Sequence, residues 1–276
     1  MLFSAPFLFA LERGNYDTAV VAPLALAAWA LGKRSGFRDV AAGGSLALAA
    51  AMKLYPGLLL FALLPLRRNR AFLCGAVIAL SMAFFHIRDV PEFWGNVQDL
   101  IAHYSPLALG GIDARVHTLS SCWPLLWRDT RLAFLARVPG TLAALGLIMP
   151  LVIVVAYRVS RCAEPNRILY PYLLWLAAAA TFIPKVSIDY NLVFLPLAII
   201  AVWDRRDPVL VHLCMAFMFL WAQPIGVPIG PILLLGFKYL SLAAVGVSLM
   251  VRAQECVPIS ATDAPSAVAR SVPVAA

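Results

Sequence analysis

The feature that most constrains this chain is the alternation of long apolar runs with short clusters of Lys and Arg. Lys33-Arg34, Arg67-Arg68-Asn69-Arg70 and Arg205-Arg206 each follow a largely apolar stretch. The composition fits a membrane better than water, with 62% hydrophobic and 13% charged residues, against roughly 25% charged in soluble domains. In hydrocarbon every backbone polar group needs an internal partner, so apolar runs of this length become helices. The expected fold is all-α, a polytopic transmembrane bundle of about 9–10 segments, short or broken helices included. A net charge of +8 would suggest nucleic acid for a soluble protein. Clustered between spans, the same charges set orientation, and no nucleic-acid partner is expected. The five cysteines, Cys74, Cys122, Cys162, Cys214 and Cys256, show no CxxC spacing, so neither a metal centre nor a disulfide framework is indicated.

Counting spans from the basic loops gives an orientation. Met1 to Ala10 is too short for a full span and reads as the end of a helix whose beginning is missing. Tyr16 to Leu31 is the first full span, closed by the cluster at Lys33, which the positive-inside rule makes cytoplasmic. Val40 to Leu66 is interrupted by Lys53-Leu54-Tyr55-Pro56. As one helix it would run about 40 Å and put its two basic ends on opposite faces. Two short helices turning near Lys53 keep both basic loops on one face, and this is the preferred reading.

The segment from His86 to Arg131 mixes four Arg with five carboxylates and lacks a cytoplasmic bias. Within it Val90, Phe93, Trp94, Val97, Leu100, Ile101 and Tyr104 recur at helical spacing, opposite Glu92, Asn96, Asp99 and His103. This predicts an amphipathic helix on the outer membrane surface. Leu132 to Tyr157 returns inward, Ile168 to Ile183 goes out, and Leu192 to Trp203 comes back. Val209 to Trp221 and Ile232 to Val251 follow, so residues 1–252 form the transmembrane domain and 253–276 a disordered cytoplasmic tail. Trp94, Trp123, Trp127, Trp175 and Trp221 are read as interfacial anchors. Lys238, two turns inside the last apolar run, either lines a chamber or marks a later helix start.

With this threading Glu12, Arg13, Asn15, Asp17, Lys53, Arg88, His103, Arg115, His117, Lys185 and Asp189 all fall outside. Ionisable groups at membrane depth are costly and usually face an interior or a cavity. One outward-facing polar chamber for an anionic ligand is therefore expected. His86, His103 and His117 lack metal-ligand spacing and read as structural.

Three motifs then bring a family into view. Glu12-Arg13-Gly14-Asn15-Tyr16-Asp17 resembles an "RGN-x-D" signature, Lys53-Leu54-Tyr55-Pro56 a "KLYP" signature, and Ser187-Ile188-Asp189-Tyr190-Asn191-Leu192 an "S-x-D-Y-N-L" signature. Their order over roughly residues 3–205 resembles the family 87 glycosyltransferases. The resemblance implies a GT-C fold and transfer of a hexose, mannose in the best-known members. The donor would be a polyprenyl-phosphate sugar and the acceptor a lipid-linked or extracellular glycan. By the same resemblance, GT-C enzymes carry a catalytic carboxylate in their first outer loop, and this chain begins too late to contain it; the expectation is a lacking N-terminal part, through a truncated gene start, a partner that supplies the loop, or loss of the activity.

The chemistry needs a base for the acceptor hydroxyl and positive groups for the leaving phosphate. Asp17 and Asp189 are the candidate bases. Glu12, Arg13, Asn15, Lys53, Tyr55, Lys185, Tyr190 and Asn191 are candidates for holding the donor. No metal and no cofactor is called for beyond the donor itself. The partners expected are the bilayer, the polyprenyl-phosphate sugar and a glycan or glycolipid acceptor, in a bacterial-type inner membrane. Plainer readings stand beside these: Glu12-Arg13 as an ion pair at helix ends, Lys53 as a snorkelling side chain, and Asp189 as an N-cap. A secondary transporter or a non-catalytic scaffold is the alternative function.

Overall fold

The computed structural model describes residues 17–53, 55–85, 87–104, 119–127, 130–162, 166–183, 193–203, 208, 211–213 and 231–255. Every regular element among them is helical. The helices are α1 (Asp17–Leu31), α2 (Gly36–Met52), α3 (Asn69–Phe85), α4 (Val90–Tyr104), α5 (Leu119–Trp127), α6 (Gly140–Ser160), α7 (Asn166–Thr181), α8 (Phe194–Val202) and α9 (Pro231–Glu255). Segments of 310 helix lie at Tyr55–Leu63, Ile87–Asp89 and Ala133–Arg137. Two stretches among the described residues, Gly140–Ser160 and Leu235–Glu255, are long and apolar enough to cross a membrane. A third forms if α3 and the following Ile87–Asp99 count as one span bent by 60°. The other apolar helices are shorter, in keeping with short or broken elements. Outward-facing Leu26, Leu73, Val77, Leu80 and Leu147 are exposed, as expected where the surroundings are lipid.

The first half is built around a hairpin and a return. Ser35 ends the turn after α1, and its Oγ accepts from the Arg38 N–H at 3.3 Å, capping α2. Arg38 folds back over Trp29, 4.4 Å from the ring centre, and donates to the Trp29 carbonyl at 3.3 Å. α2 stops at Met52, and Lys53 follows in extended backbone at φ −150°, ψ 132°. Pro56 disfavours helical backbone at Tyr55, and the chain resumes as the 310 segment Tyr55–Leu63. Arg67 at φ 53° takes a left-handed turn just before α3.

α2 and α3 lie side by side and nearly touch. A Cβ on Gly43 would collide with the Ala71 carbonyl and meet the Gly75 nitrogen at 2.8 Å, while one on Gly44 would meet Ile78 Cδ1 at 3.6 Å. Between helices in a bilayer, transfer from water contributes little, and close van der Waals packing of small residues holds them together. The buried inventory of this half, with Ala27, Ala30, Ala42, Ala47, Ala49 and Ala71, follows from that requirement.

This arrangement settles the two readings of 40–66 in favour of the turn. Arg68 donates to the Lys33 carbonyl at 3.2 Å and to the Leu31 carbonyl, and it pairs with Asp39 at 3.2 Å. The two basic loops are therefore bound to each other on one face. Burial pulls the Arg68 guanidinium below its usual pKa, and Asp39 opposes that shift.

The second half corrects several sequence expectations. The span expected from Leu132 begins at Gly140, because Ala133–Arg137 forms a separate 310 segment and Pro139 lacks the N–H of a helix interior. Trp175 is not an interfacial anchor. It is fully buried, and its Nε1 donates to the Leu242 carbonyl at 2.8 Å across α7 and α9, so the indole's one polar atom is satisfied in the core. Gly246 leaves space for that ring, since a Cβ there would come within 3.0 Å of Trp175 Cζ2. α9 runs through Glu255, past the expected boundary at 252, because Ala253-Gln254-Glu255 are good helix formers. The rest of the tail lies outside the described residues.

Candidate functional site

Three predicted site residues fall within the described residues, and all three follow from the hairpin. α1 and α2 are antiparallel about the turn at Gly32–Ser35. Asp17 is the first residue of α1 and Lys53 is the C-cap of α2, so both stand at the end of the hairpin away from the basic loops. A helix the length of α1 separates those ends by about 22 Å. Lys53 is half-buried. Tyr55 opens the 310 return beside it. Glu12, Arg13, Asn15, Lys185, Asp189, Tyr190 and Asn191 lie outside the described residues.

The last described residue before the third motif is Ile183, and it belongs to a well-defined junction. Ser120 on α5 donates from Oγ to the Ile183 carbonyl at 2.6 Å. Gly140, at the start of α6, lies so close to Ser120 that a Cβ would collide with the Ser120 carbonyl. Cys122, Ala144 and Leu235 form a small buried cluster there, flanked by Trp123, Leu126 and Tyr239. Phe182 stacks edge-on against Tyr239 with ring centres 4.7 Å apart. The helix α5 therefore ties the start of α6, the end of α7 and the first turns of α9 into one end of the bundle. The opposite end is closed where Arg252 of α9 donates to the Val202 carbonyl of α8.

Lys238 sits at the first of these junctions and is fully buried. α9 starts at Pro231, so a later helix start does not account for this lysine. It lies one residue before the Phe182 partner Tyr239 and close enough to Cys122 to act on it electrostatically. A buried ionisable side chain within a membrane helix is a functional-site candidate by default. The sequence signal is a single Lys in an apolar run, and it does not bring Lys238 into the expected site because nothing local pairs it with the three motifs.

The amphipathic helix expected in the outer loop is present as α4. Val90 and Trp94 on its apolar side are more than half exposed. Among the described residues its sizeable contacts are with the preceding 310 turn alone. The exposure of these two apolar side chains fits a helix lying on a bilayer. The loop residues Arg115 and His117 lie outside the described residues.

No curated protein and no solved structure matches the chain. The family model for glycosyltransferase family 87 matches residues 1–184. That stretch contains the first two motifs and ends immediately after Ile183, before the third. Covering two thirds of the sequence, the match establishes that this all-helical membrane chain belongs to glycosyltransferase family 87.

Proposed function

We propose that this glycosyltransferase moves a hexose, mannose-like in type, from a polyprenyl-phosphate donor to a lipid-linked or extracellular glycan. The reaction takes place on the outer face of a bacterial-type inner membrane. The observation that carries the reading is the position of Asp17 and Lys53 at the same end of the α1–α2 hairpin, remote from the clamped basic loops. With those loops cytoplasmic by the positive-inside rule, the carboxylate and the ammonium are extracytoplasmic.

The acceptor oxygen attacks the anomeric carbon as its hydroxyl proton passes to a carboxylate, Asp17 or Asp189. The bond from that carbon to the phosphate oxygen breaks, and its electron pair leaves with the polyprenyl phosphate, inverting the anomeric centre. Lys53, Lys185 and Arg13 offset the charge that develops on the phosphate. Glu12, Asn15, Tyr55, Tyr190 and Asn191 shape the donor site. Lys238, buried near the segment that leads to Lys185, joins this set as a further cation.

The test is transfer of radiolabelled hexose from polyprenyl phosphate to membrane glycolipid by the protein in proteoliposomes. Asp17→Asn or Asp189→Asn, whichever removes the base, is expected to lower transfer at least about a hundredfold. Full activity in both variants would remove these carboxylates from the reaction. Uptake of solute by the same vesicles without any glycosylated product would replace the transferase reading with a transporter.

A further inference from the structure

The face opposite the proposed reaction site carries a second feature that the transfer chemistry does not use. A cleft of about 330 Å³ opens between the α1–α2 turn and the start of α3, lined by Arg34, Ser35, Gly36, Asp39 and Arg67 to Arg70. Four guanidiniums and one carboxylate leave it with a net charge of +3. The carboxylate, Asp39, is engaged by Arg68, whose other contacts are the Leu31 and Lys33 carbonyls. Arg34, Arg67 and Arg70 are exposed. No described carboxylate lies within ion-pair distance of these three.

Orientation of a membrane protein requires positive charge in a loop but no cavity. Here Arg68 fixes the two loops at a set spacing, and the left-handed turn at Arg67 swings the second loop directly into α3. The starts of α2 and α3 both border the cleft, adding the partial positive charge of two helix N-termini. Guanidiniums match phosphate oxygens in geometry and charge. Phe37, next in the chain to the lining residue Gly36, is 77% exposed, and Leu64, whose carbonyl accepts from the Arg67 N–H, is 43% exposed, so exposed apolar side chains adjoin the cationic lining and form its apolar rim. We propose that this cleft binds the phosphate head group of an anionic membrane lipid, with the acyl chains along the apolar rim. Basic pockets between membrane helices on the positive side recognise such head groups by the same forces.

The test uses the full chain purified in neutral detergent, with bound lipid counted by native mass spectrometry as phosphatidylglycerol or phosphatidylcholine is titrated in. Saturable retention of phosphatidylglycerol over phosphatidylcholine is expected, with binding about tenfold weaker or more in the triple variant R34Q/R67Q/R70Q. A control replacing Arg158, Arg161 and Arg167, around the junction of α6 and α7, each by Gln, is expected to bind normally. The decisive variant is Gly36→Trp. Gly36 lines the cleft and nothing lies within 4 Å of its Cβ position, so the indole is expected to occupy the cleft without removing charge. Loss of binding in Gly36→Trp supports a built site. Unchanged binding in that variant, or equal losses in the two triple variants, overturns the proposal in favour of diffuse attraction. Inorganic phosphate is the second arm. Failure to displace the lipid assigns the site to head groups with their chains, and displacement at comparable concentration assigns it to free phosphate.

Discussion

At the scale of single residues, one charged group that holds the fold can be told from one proposed to serve the chemistry. Arg68 belongs to the first kind, with three oxygens around its guanidinium and only 10% of its side chain exposed. Replacing Asp39 by Asn removes one charge-assisted contact and is expected to cost about 1 kcal/mol. Arg68→Ala leaves Asp39 and two carbonyls without their donor and is expected to cost more, about 2–3 kcal/mol. Thermal denaturation of the two variants in detergent ranks them. Lys238 belongs to the second kind. It is fully buried, next in the chain to the Tyr239 that packs on Phe182, so Lys238→Met is expected to lower transfer about a hundredfold with the protein still monodisperse on gel filtration. Unchanged transfer would leave Lys238 a purely structural role.

At the scale of elements, what is legible in the sequence is local. The break at Lys53 is readable because Pro56 and a change from apolar to polar residues sit at one point, and helix α2 does end at Met52. The amphipathic spacing from Val90 to Tyr104 is equally plain, and the chain is helical over that range. Trp175 is hidden because a tryptophan near a span's middle looks the same in sequence whether lipid or protein surrounds it. Its partner, the Leu242 carbonyl, is distant in the chain. The contact between α2 and α3 is of the same hidden kind, depending on Gly43 meeting Ala71 and Gly75 across the helix pair. Gly43→Val places a branched side chain where backbone atoms already sit. It is expected to destabilise by about 1–3 kcal/mol or more, whereas Gly44→Ala, facing the tip of Ile78, should be nearly neutral. The difference in melting temperature between these neighbouring variants measures how closely the helices pack.

At the scale of the whole molecule, function depends on which end of the bundle faces which side of the membrane. The basic loops at Lys33 and Arg67 are joined by Arg68. Asp17 and Lys53 lie at the other end of the same hairpin. Of the expected site, Asp17, Lys53 and Tyr55 can be placed by span counting, because charge asymmetry between loops is a property of sequence. The buried environment of Lys238 is not legible, since it arises from packing among α5, α7 and α9. The most direct test of the account is sided cysteine labelling, with membrane-impermeant maleimide applied to sealed vesicles of known orientation. The background is a chain whose five native cysteines are replaced by Ser. The single variants Arg34→Cys and Arg70→Cys are expected to react from the cytoplasmic side alone, and Lys53→Cys from the outer side alone. Labelling of Arg34→Cys and Lys53→Cys from the same side would contradict the arrangement on which the proposed site rests.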